Sequence, residues 1–161
     1  MIKDWGPPIW YFLHVFCARI NEKQLMINKK SIFNFLMQIV CNLPCPDCSF
    51  HARQYFLKLN FENLHTKNQL IEVIFNFHND VSARVHNKNP NFKKEGIEIL
   101  NQYKNSNVKD AFRKYHAEWT KASSIKNVIA MTSTFSRNKF MDDTIKWIKG
   151  NLHLFEPDSV V

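Results

Sequence analysis

Two cysteines three residues apart, Cys45 and Cys48, are the side chains of this sequence best suited to chemistry. Thiols at this spacing lie close enough to close a small disulfide ring. Pro44 and Pro46 disfavour helix before the pair and permit it afterwards, because proline is tolerated in the first turn of a helix and is disruptive further in. The pair is therefore predicted to begin a helix, where free N–H groups and the helix dipole stabilise the reactive thiolate. This arrangement predicts a redox-active dithiol.

Zinc binding is the alternative for the same segment. The spacing C-x3-C-x2-C-x2-H supplies four zinc ligands, which are Cys41, Cys45, Cys48 and His51. Structural zinc sites usually take their ligands in two pairs from separated turns, which one short run provides less easily. A zinc-binding interaction module is therefore the second hypothesis. Otherwise Cys41 and Cys17 are expected to pack in the core, since free cysteine is among the most buried residue types.

Helices must position these side chains, because apolar residues recur at helical spacing through most of the chain. The stripes that predict four helices and a short fifth cover residues 9–20, 32–43, 52–59, 74–85 and 97–103. Thr66 and Gln69 form a capping box before the fourth. No segment shows the period of two that a half-buried strand needs. The predicted fold is all-α, a four-helix bundle with a short fifth helix over residues 1–104. A helical C-terminal extension of unknown role follows over 105–161, with 122–137 predicted as a linker.

Length, charge and composition narrow the functional classes. The chain has 161 residues, 45% of them apolar, and so can bury one sizeable core. Its net charge of +8 is spread along the chain without a run of four basic residues, so nucleic-acid binding is not expected. The N-terminal residues lack the pattern of a signal peptide, and no apolar stretch reaches the roughly 18 residues of a membrane span. We expect a cytoplasmic protein without a membrane span.

Glycine is rare, with Gly6, Gly96 and Gly150 the three in the sequence. Neither a GxGxxG dinucleotide loop nor a phosphate-binding P-loop can be built from them. Any nucleotide cofactor must therefore be held by side chains on helices.

Two sets of polar and aromatic residues interrupt the apolar stripes. Trp10 and His14 lie four apart on the first predicted helix, where they either pack in the core or face a ligand. His78, Asn79 and Ser82 form a polar strip on a helix that is otherwise apolar enough to be central. That strip faces either solvent or a site. Helical spacing alone leaves both alternatives open in each case.

Three segments together resemble a known family. Residues 5–14, WGPPIWYFLH, are similar to the WGxxxWxxLH opening of the flavin-linked sulfhydryl oxidases of the Erv/ALR type. Residues 43–48, LPCPDC, resemble the active-site segment of that family. Residues 77–82, FHNDVS, with Lys88 beyond them, resemble its HNxVN…K motif. Order and spacing match across residues 3–104, and the short forms encoded by large DNA viruses are the most similar.

The resemblance implies an FAD-dependent thiol (sulfhydryl) oxidase that is often a homodimer. Cys45 would meet the dithiol of a protein substrate or of a small thioredoxin-like electron carrier, and Cys48 would face the flavin. Electrons would pass to molecular oxygen to give hydrogen peroxide. The FAD-binding residues implied by the resemblance are Gly6, Trp10, His14, Cys48, His51, His78, Asn79, Val81, Ser82, Lys88 and Tyr103. A viral member would act in the host cytoplasm and in the virion.

The sequence departs from the family pattern in four ways. Ser82 replaces the usual asparagine, which shortens one hydrogen-bonding side chain. The second cysteine pair of the family is missing, with Phe75 at one of its positions, and no second CxxC is present that could act as a shuttle. Residues 105–161 have no counterpart in the resemblance.

Overall fold

The computed structural model describes residues 2–85, 97–124 and 134–158. These ranges contain seven α-helices, which are α1 (Ile2–Arg19), α2 (Glu22–Ile27), α3 (Lys29–Cys41), α4 (Pro46–Leu57), α5 (Lys67–Val85), α6 (Val108–Ser123) and α7 (Thr134–Gly150). Short 3₁₀ helices span Phe61–Asn63, Ile97–Asn105 and Leu152–Leu154. The same ranges hold no strand, although one isolated antiparallel bridge joins Ile20 to Phe155. The all-α prediction is confirmed. No helix in the described part of the chain is long and apolar enough to cross a membrane.

α1 is the central helix, and every residue from 12 to 20 is buried. It packs against α5, against the 3₁₀ helix at Ile97–Asn105 and most extensively against α6. A helix that is buried all round belongs to the interior of a domain. Phe12 of the predicted apolar stripe packs on α6, and the residues of 12–19 that lie outside that stripe are buried as well.

α1 begins earlier than its prolines predict. The sequence favours a start at Pro7 and Pro8, whereas α1 begins at Ile2 and holds both prolines inside it. Each proline removes one helical hydrogen bond. Trp5 and Ile9 are buried in the core cluster, and this packing stabilises the additional turn.

The C-terminal helices pack on the bundle through aromatic rings. Tyr115 of α6 stacks on Phe12 of α1, with ring centroids 5.2 Å apart. Trp147 of α7 stacks on Phe35 of α3, with centroids 4.0 Å apart. Phe12 and Phe35 are in edge-to-face contact at 6.4 Å. The four helices therefore share one core.

The structure contains the predicted capping box and differs from the predicted linker. The capping box is present, since the Gln69 N–H donates to Thr66 Oγ1 at 3.2 Å and the Thr66 N–H donates to Gln69 Oε1 at 3.1 Å. The predicted linker at 122–137 is helical at both ends, because α6 continues to Ser123 and α7 begins at Thr134. The centre of that segment lies outside the described residues.

Candidate functional site

Cys45 and Cys48 form a disulfide at the N-terminus of α4. Cys45 is the N-cap residue, and its Sγ accepts a hydrogen bond from the backbone N–H of Cys48 at 3.2 Å. Pro46 lies in the first turn of the helix, as the sequence predicts. When the disulfide is reduced, the same N–H and the positive end of the helix dipole stabilise a thiolate at Cys45.

Hydrogen bonds from two helices hold the loop before the disulfide. From α4, the Ser49 hydroxyl accepts from the Leu43 N–H at 2.9 Å and donates to the Leu43 carbonyl at 3.2 Å. From α6, the Trp119 indole N–H donates to the carbonyl of Asn42. The disulfide is therefore positioned partly by the C-terminal extension.

An apolar cavity lies on one side of the disulfide, between α1, α3, α4 and α5. Its lining residues are Trp5, Gly6, Ile9, Trp10, Leu13, Val40, Leu43, Cys48, His51, Phe77, Val81, Arg84 and Val85. Five of the residues predicted to bind FAD are among them, namely Gly6, Trp10, Cys48, His51 and Val81. Cys48 lies on the wall of this cavity and Cys45 does not. The two sulfurs of the disulfide therefore have different surroundings.

Beside Trp10 lies a pair of histidines, of which His14 is buried and His78 is half-buried. His14 Nε2 is 2.9 Å from His78 Nδ1, and the Trp10 ring stacks on His78 with centroids 4.0 Å apart. Tyr103 stacks on His14 at 5.2 Å. Burial, followed by the nearby His78, lowers the pKa of His14 to about 3. Burial lowers the pKa of His78 to about 4. Both rings are neutral at pH 7, so one ring nitrogen donates its N–H to the other.

His51 hydrogen-bonds a carboxylate that the sequence reasoning missed. Its Nε2 lies 2.8 Å from Asp80 Oδ2, which joins α4 to α5. The bond orients the His51 imidazole at the cavity wall. Burial and then Asp80 raise the pKa of the neighbouring Tyr55. The sequence feature that could have identified Asp80 is its position inside the segment 77–82, close to His78.

Other predicted residues lie away from the cavity lining. Asn79 and Ser82 are half-buried on α5, and Lys88 lies outside the described residues. The sequence reasoning also missed most of the cavity wall, which includes Trp5, Ile9, Leu13, Val40, Leu43, Phe77, Arg84 and Val85. Most of these are apolar, and helical spacing does not distinguish an apolar residue that faces a cavity from one that packs in the core.

The four predicted zinc ligands do not form a metal site. The Cys45 and Cys48 sulfurs are bonded to each other, and His51 is hydrogen-bonded to Asp80. Cys41 is a free, half-buried thiol whose pKa is raised by burial. In the described ranges, no three His, Cys, Asp or Glu side chains are grouped closely enough to hold a metal ion.

The chemistry of the cavity suits a planar redox cofactor. Its walls are mostly apolar and aromatic, the Cys48 sulfur stands at its edge, and neutral imidazoles lie beside it. Its volume of about 90 Å³ is smaller than a three-ring flavin requires, so side chains along the wall must move outward to admit one. Helical side chains make the walls, which agrees with the scarcity of glycine in the sequence.

A disulfide at a helix N-terminus, set against an aromatic cavity in an all-helical fold, defines a helical thiol–disulfide redox protein. Residues 7–104 match the model of the Erv1/Alr family, and the chain belongs to that family. The resemblance seen in the three sequence motifs is therefore confirmed. The match ends where the C-terminal extension begins.

Two viral proteins are similar to part of the chain. Over 84 residues, which are 52% of this chain, it is 33% identical to protein 096R of Invertebrate iridescent virus 3, whose name assigns it to the FAD-linked sulfhydryl oxidases. Over 84 residues it is 29% identical to the FAD-linked sulfhydryl oxidase of African swine fever virus, isolate Pig/Kenya/KEN-50/1950. These matches span 57% of the iridovirus protein and 70% of the swine fever virus protein. No solved structure matches the chain.

Proposed function

We propose that the protein is an FAD-dependent thiol oxidase. It forms disulfides in the dithiols of a protein substrate or of a small thioredoxin-like electron carrier, and it passes the electrons to molecular oxygen to give hydrogen peroxide. The observation that carries the proposal is the placement of Cys48 on the wall of the aromatic cavity, with its partner Cys45 outside that wall. Membership of the Erv1/Alr family and the names of the viral relatives support it.

Residues on three helices would hold the cofactor. Trp10 of α1 and His51 of α4 line the cavity, and the neutral pair of His14 and His78 lies beside it. The chemistry that bound FAD would supply is acceptance of an electron pair from Cys48 and transfer of that pair to molecular oxygen. The contacts expected from Asn79, Ser82 and Lys88 stay predictions.

The protein side of the reaction is thiol–disulfide exchange. A substrate thiolate attacks Cys45 Sγ, the Cys45–Cys48 bond breaks, and the bonding electron pair leaves with Cys48 as a thiolate. The second substrate thiolate attacks the mixed disulfide, completes the substrate disulfide and releases Cys45 as a thiolate. The Cys48 N–H, 3.2 Å from Cys45 Sγ, stabilises that thiolate. The substrate loses two electrons and two protons, and molecular oxygen takes up both as hydrogen peroxide.

Three further features of the proposal come from the sequence and its family. This chain holds one CxxC, so Cys45 is proposed to meet the substrate or carrier directly. We also propose a cytoplasmic location, with the virion as a second location for a viral protein. A homodimeric state is proposed on the family resemblance.

The test begins with the purified protein. A flavin absorption band near ~450 nm, and release of hydrogen peroxide when dithiothreitol is added, are the expected results. A colourless protein that carries stoichiometric zinc would contradict the proposal and favour the zinc-binding module.

Cysteine variants then assign the reaction to the disulfide. Cys45→Ser and Cys48→Ser should each abolish dithiothreitol oxidation, because neither can form the mixed disulfide and resolve it. The matched control is Cys17→Ala, since Cys17 is 1% exposed in the core and burial strongly raises the pKa of its thiol. That variant should keep the wild-type rate. Normal oxidation by Cys48→Ser would rule the mechanism out.

A further inference from the structure

A groove distinct from the cavity lies against the disulfide loop. The loop and α4 contribute Pro44, Pro46 and Ser49 to one wall, and the C-terminal helices contribute Trp119, Arg137 and Phe140 to the other. Pro44 and Pro46 are the neighbours of Cys45 in the chain, so the groove lies beside that residue, and the free thiol of Cys41 is on its wall. Cys48 lines the cavity and is not among the lining residues of the groove.

The size and lining of the groove indicate what it can take. Its volume is about 250 Å³, which is below the roughly 300–1,000 Å³ of pockets for small-molecule ligands and suits one or two amino-acid side chains. Trp119, Phe140 and Leu43 give it an apolar surface. Arg137 is the one charged residue of the lining.

The loop backbone indicates how recognition would occur. The carbonyl of Asn42 and both backbone groups of Leu43 are hydrogen-bonded within the protein. Pro44 and Pro46 have no N–H to offer. A peptide therefore finds few main-chain partners for strand addition here, and recognition must come from side chains that enter the groove.

We propose that this groove docks the reduced polypeptide substrate, with an apolar side chain next to the substrate cysteine buried against Trp119 and Phe140. This inference extends the proposed thiol oxidase function and rests on it. Docking brings the substrate thiolate to Cys45 Sγ, where the new S–S bond forms as the Cys45–Cys48 bond breaks and Cys48 takes the electron pair. The extension is then the part of the chain that selects polypeptide dithiols over small ones.

The experiment compares three substrates of the flavin-loaded protein. Two are synthetic dithiol peptides that differ in one residue beside the first cysteine, leucine in one and serine in the other, and the third is dithiothreitol. The wild-type protein should prefer the leucine peptide by about tenfold in kcat/KM, the factor expected for burial of one apolar side chain. Dithiothreitol has no side chain that could bind in the groove, so its oxidation should not depend on the groove.

The groove is then blocked from its exposed wall. Ser136 of α7 is exposed and lines the groove, so Ser136→Trp fills it without disturbing the core. The matched control is Asn138→Trp, because Asn138 is exposed on the same helix and lines a different depression. Ser136→Trp should remove the preference for the leucine peptide through a higher KM and leave the dithiothreitol rate within about twofold of the wild-type rate. Asn138→Trp should keep the preference.

Each other outcome counts against the inference. Equal loss with all three substrates would mean that the tryptophan blocks Cys45 itself. An unchanged peptide preference would mean that the substrate docks elsewhere, and a changed oligomeric state with unchanged peptide kinetics would assign the groove to a second copy of the chain. A flavin-loaded wild-type protein that fails to oxidise dithiothreitol would instead overturn the proposed function.

Discussion

The family-matched segment, residues 7–104, and the C-terminal helices after it contribute differently to one core. The first segment holds the disulfide, the histidine pair and all of the cavity lining except Trp5 and Gly6. No described residue of the second segment lines that cavity. Yet α6 makes more extensive contact with α1 than any other described element does. Chemistry is concentrated in one region, and much of the packing comes from the other.

This difference shows how an extension outside the family match can affect the site. α1 carries Trp10 and His14 toward the cavity side, while Phe12 stacks on Tyr115 of α6. A rigid core transmits the position of one face of a helix to the other. Trp119 adds a direct hydrogen bond to the loop before the disulfide. The C-terminal helices are therefore expected to stabilise the site that they do not line.

Removal of the extension is the most severe test of this comparison. A chain that ends at Asn105 lacks Phe112, Tyr115 and Trp119, which are all buried and contribute about 1.5–3 kcal/mol each. Their sum is comparable with the roughly 5–15 kcal/mol that stabilises a small domain. We expect no cooperative thermal transition by circular dichroism and no bound flavin. A chain that ends at Asp158 is the control and should behave as the full chain. A cooperative, yellow truncated protein would show that the family-matched segment is an independent unit.

The features that the sequence predicts well depend on neighbours close in the chain. The prolines around Cys45 place the disulfide at a helix start, and Thr66 with Gln69 places the start of α5. Repeated apolar spacing predicts the helices, and three ordered motifs predict the family. Each of these signals depends on residues that are close together in the sequence, so it can be recognised without the tertiary structure.

The features that the sequence does not predict depend on distant partners. The hydrogen bond of His51 to Asp80 joins residues 29 positions apart, and the stacking of Tyr115 on Phe12 joins two segments that the family model separates. An apolar stripe shows that a face is buried but not which helix covers it. The six-residue α2 was missed because it carries one buried residue, Leu25, and thus no stripe.

Acid should weaken the region of the site before the rest of the protein. His14 and His78 have folded pKa values of about 3 and about 4, below the unfolded value near 6.5. Between these values the unfolded chain binds more protons, so stability falls as pH falls from 6.5, by about 1.4 kcal/mol per pH unit for each histidine. By pH 5.5 the loss for the pair should be roughly 2–3 kcal/mol. Urea unfolding from pH 7.5 to 5 measures it.

This pH dependence is tested by one variant in the family-matched segment and one control variant in the C-terminal extension. His14→Gln removes one of the two shifted groups and should reduce the slope of stability against pH by about half. His153→Gln, at an exposed position after α7, should leave the slope unchanged. A steep slope that survives in His14→Gln would assign the acid sensitivity to other groups.

Arg19 tests the connection between the two regions. It is 6% exposed, and its guanidinium donates to the carbonyls of Lys104, Glu156 and Pro157 at 2.7–2.8 Å. Lysine keeps the positive charge, but its ammonium group cannot reproduce the planar, branched geometry in which a guanidinium donates these hydrogen bonds. Arg19→Lys should therefore lower the free energy of unfolding by about 2 kcal/mol. Lys104→Met is the control, because its carbonyl and not its side chain accepts the bond. Equal stability of wild type and Arg19→Lys in urea would show that these hydrogen bonds do not stabilise the packing of the C-terminal residues.

Tyr115 gives the smallest expected effect and the finest test of the packing between the regions. Its ring is fully buried against Phe12, and no described residue offers its hydroxyl a hydrogen bond. An unpaired buried hydroxyl is costly, so Tyr115→Phe should raise the free energy of unfolding by about 1 kcal/mol while the stacked ring stays in place. Tyr11→Phe, a half-buried position also facing α6, should change it by a few tenths at most. Urea denaturation of both variants measures the difference. A loss of stability in Tyr115→Phe would mean that the hydroxyl finds a partner in the folded protein, and that the contact between the two regions is polar as well as aromatic.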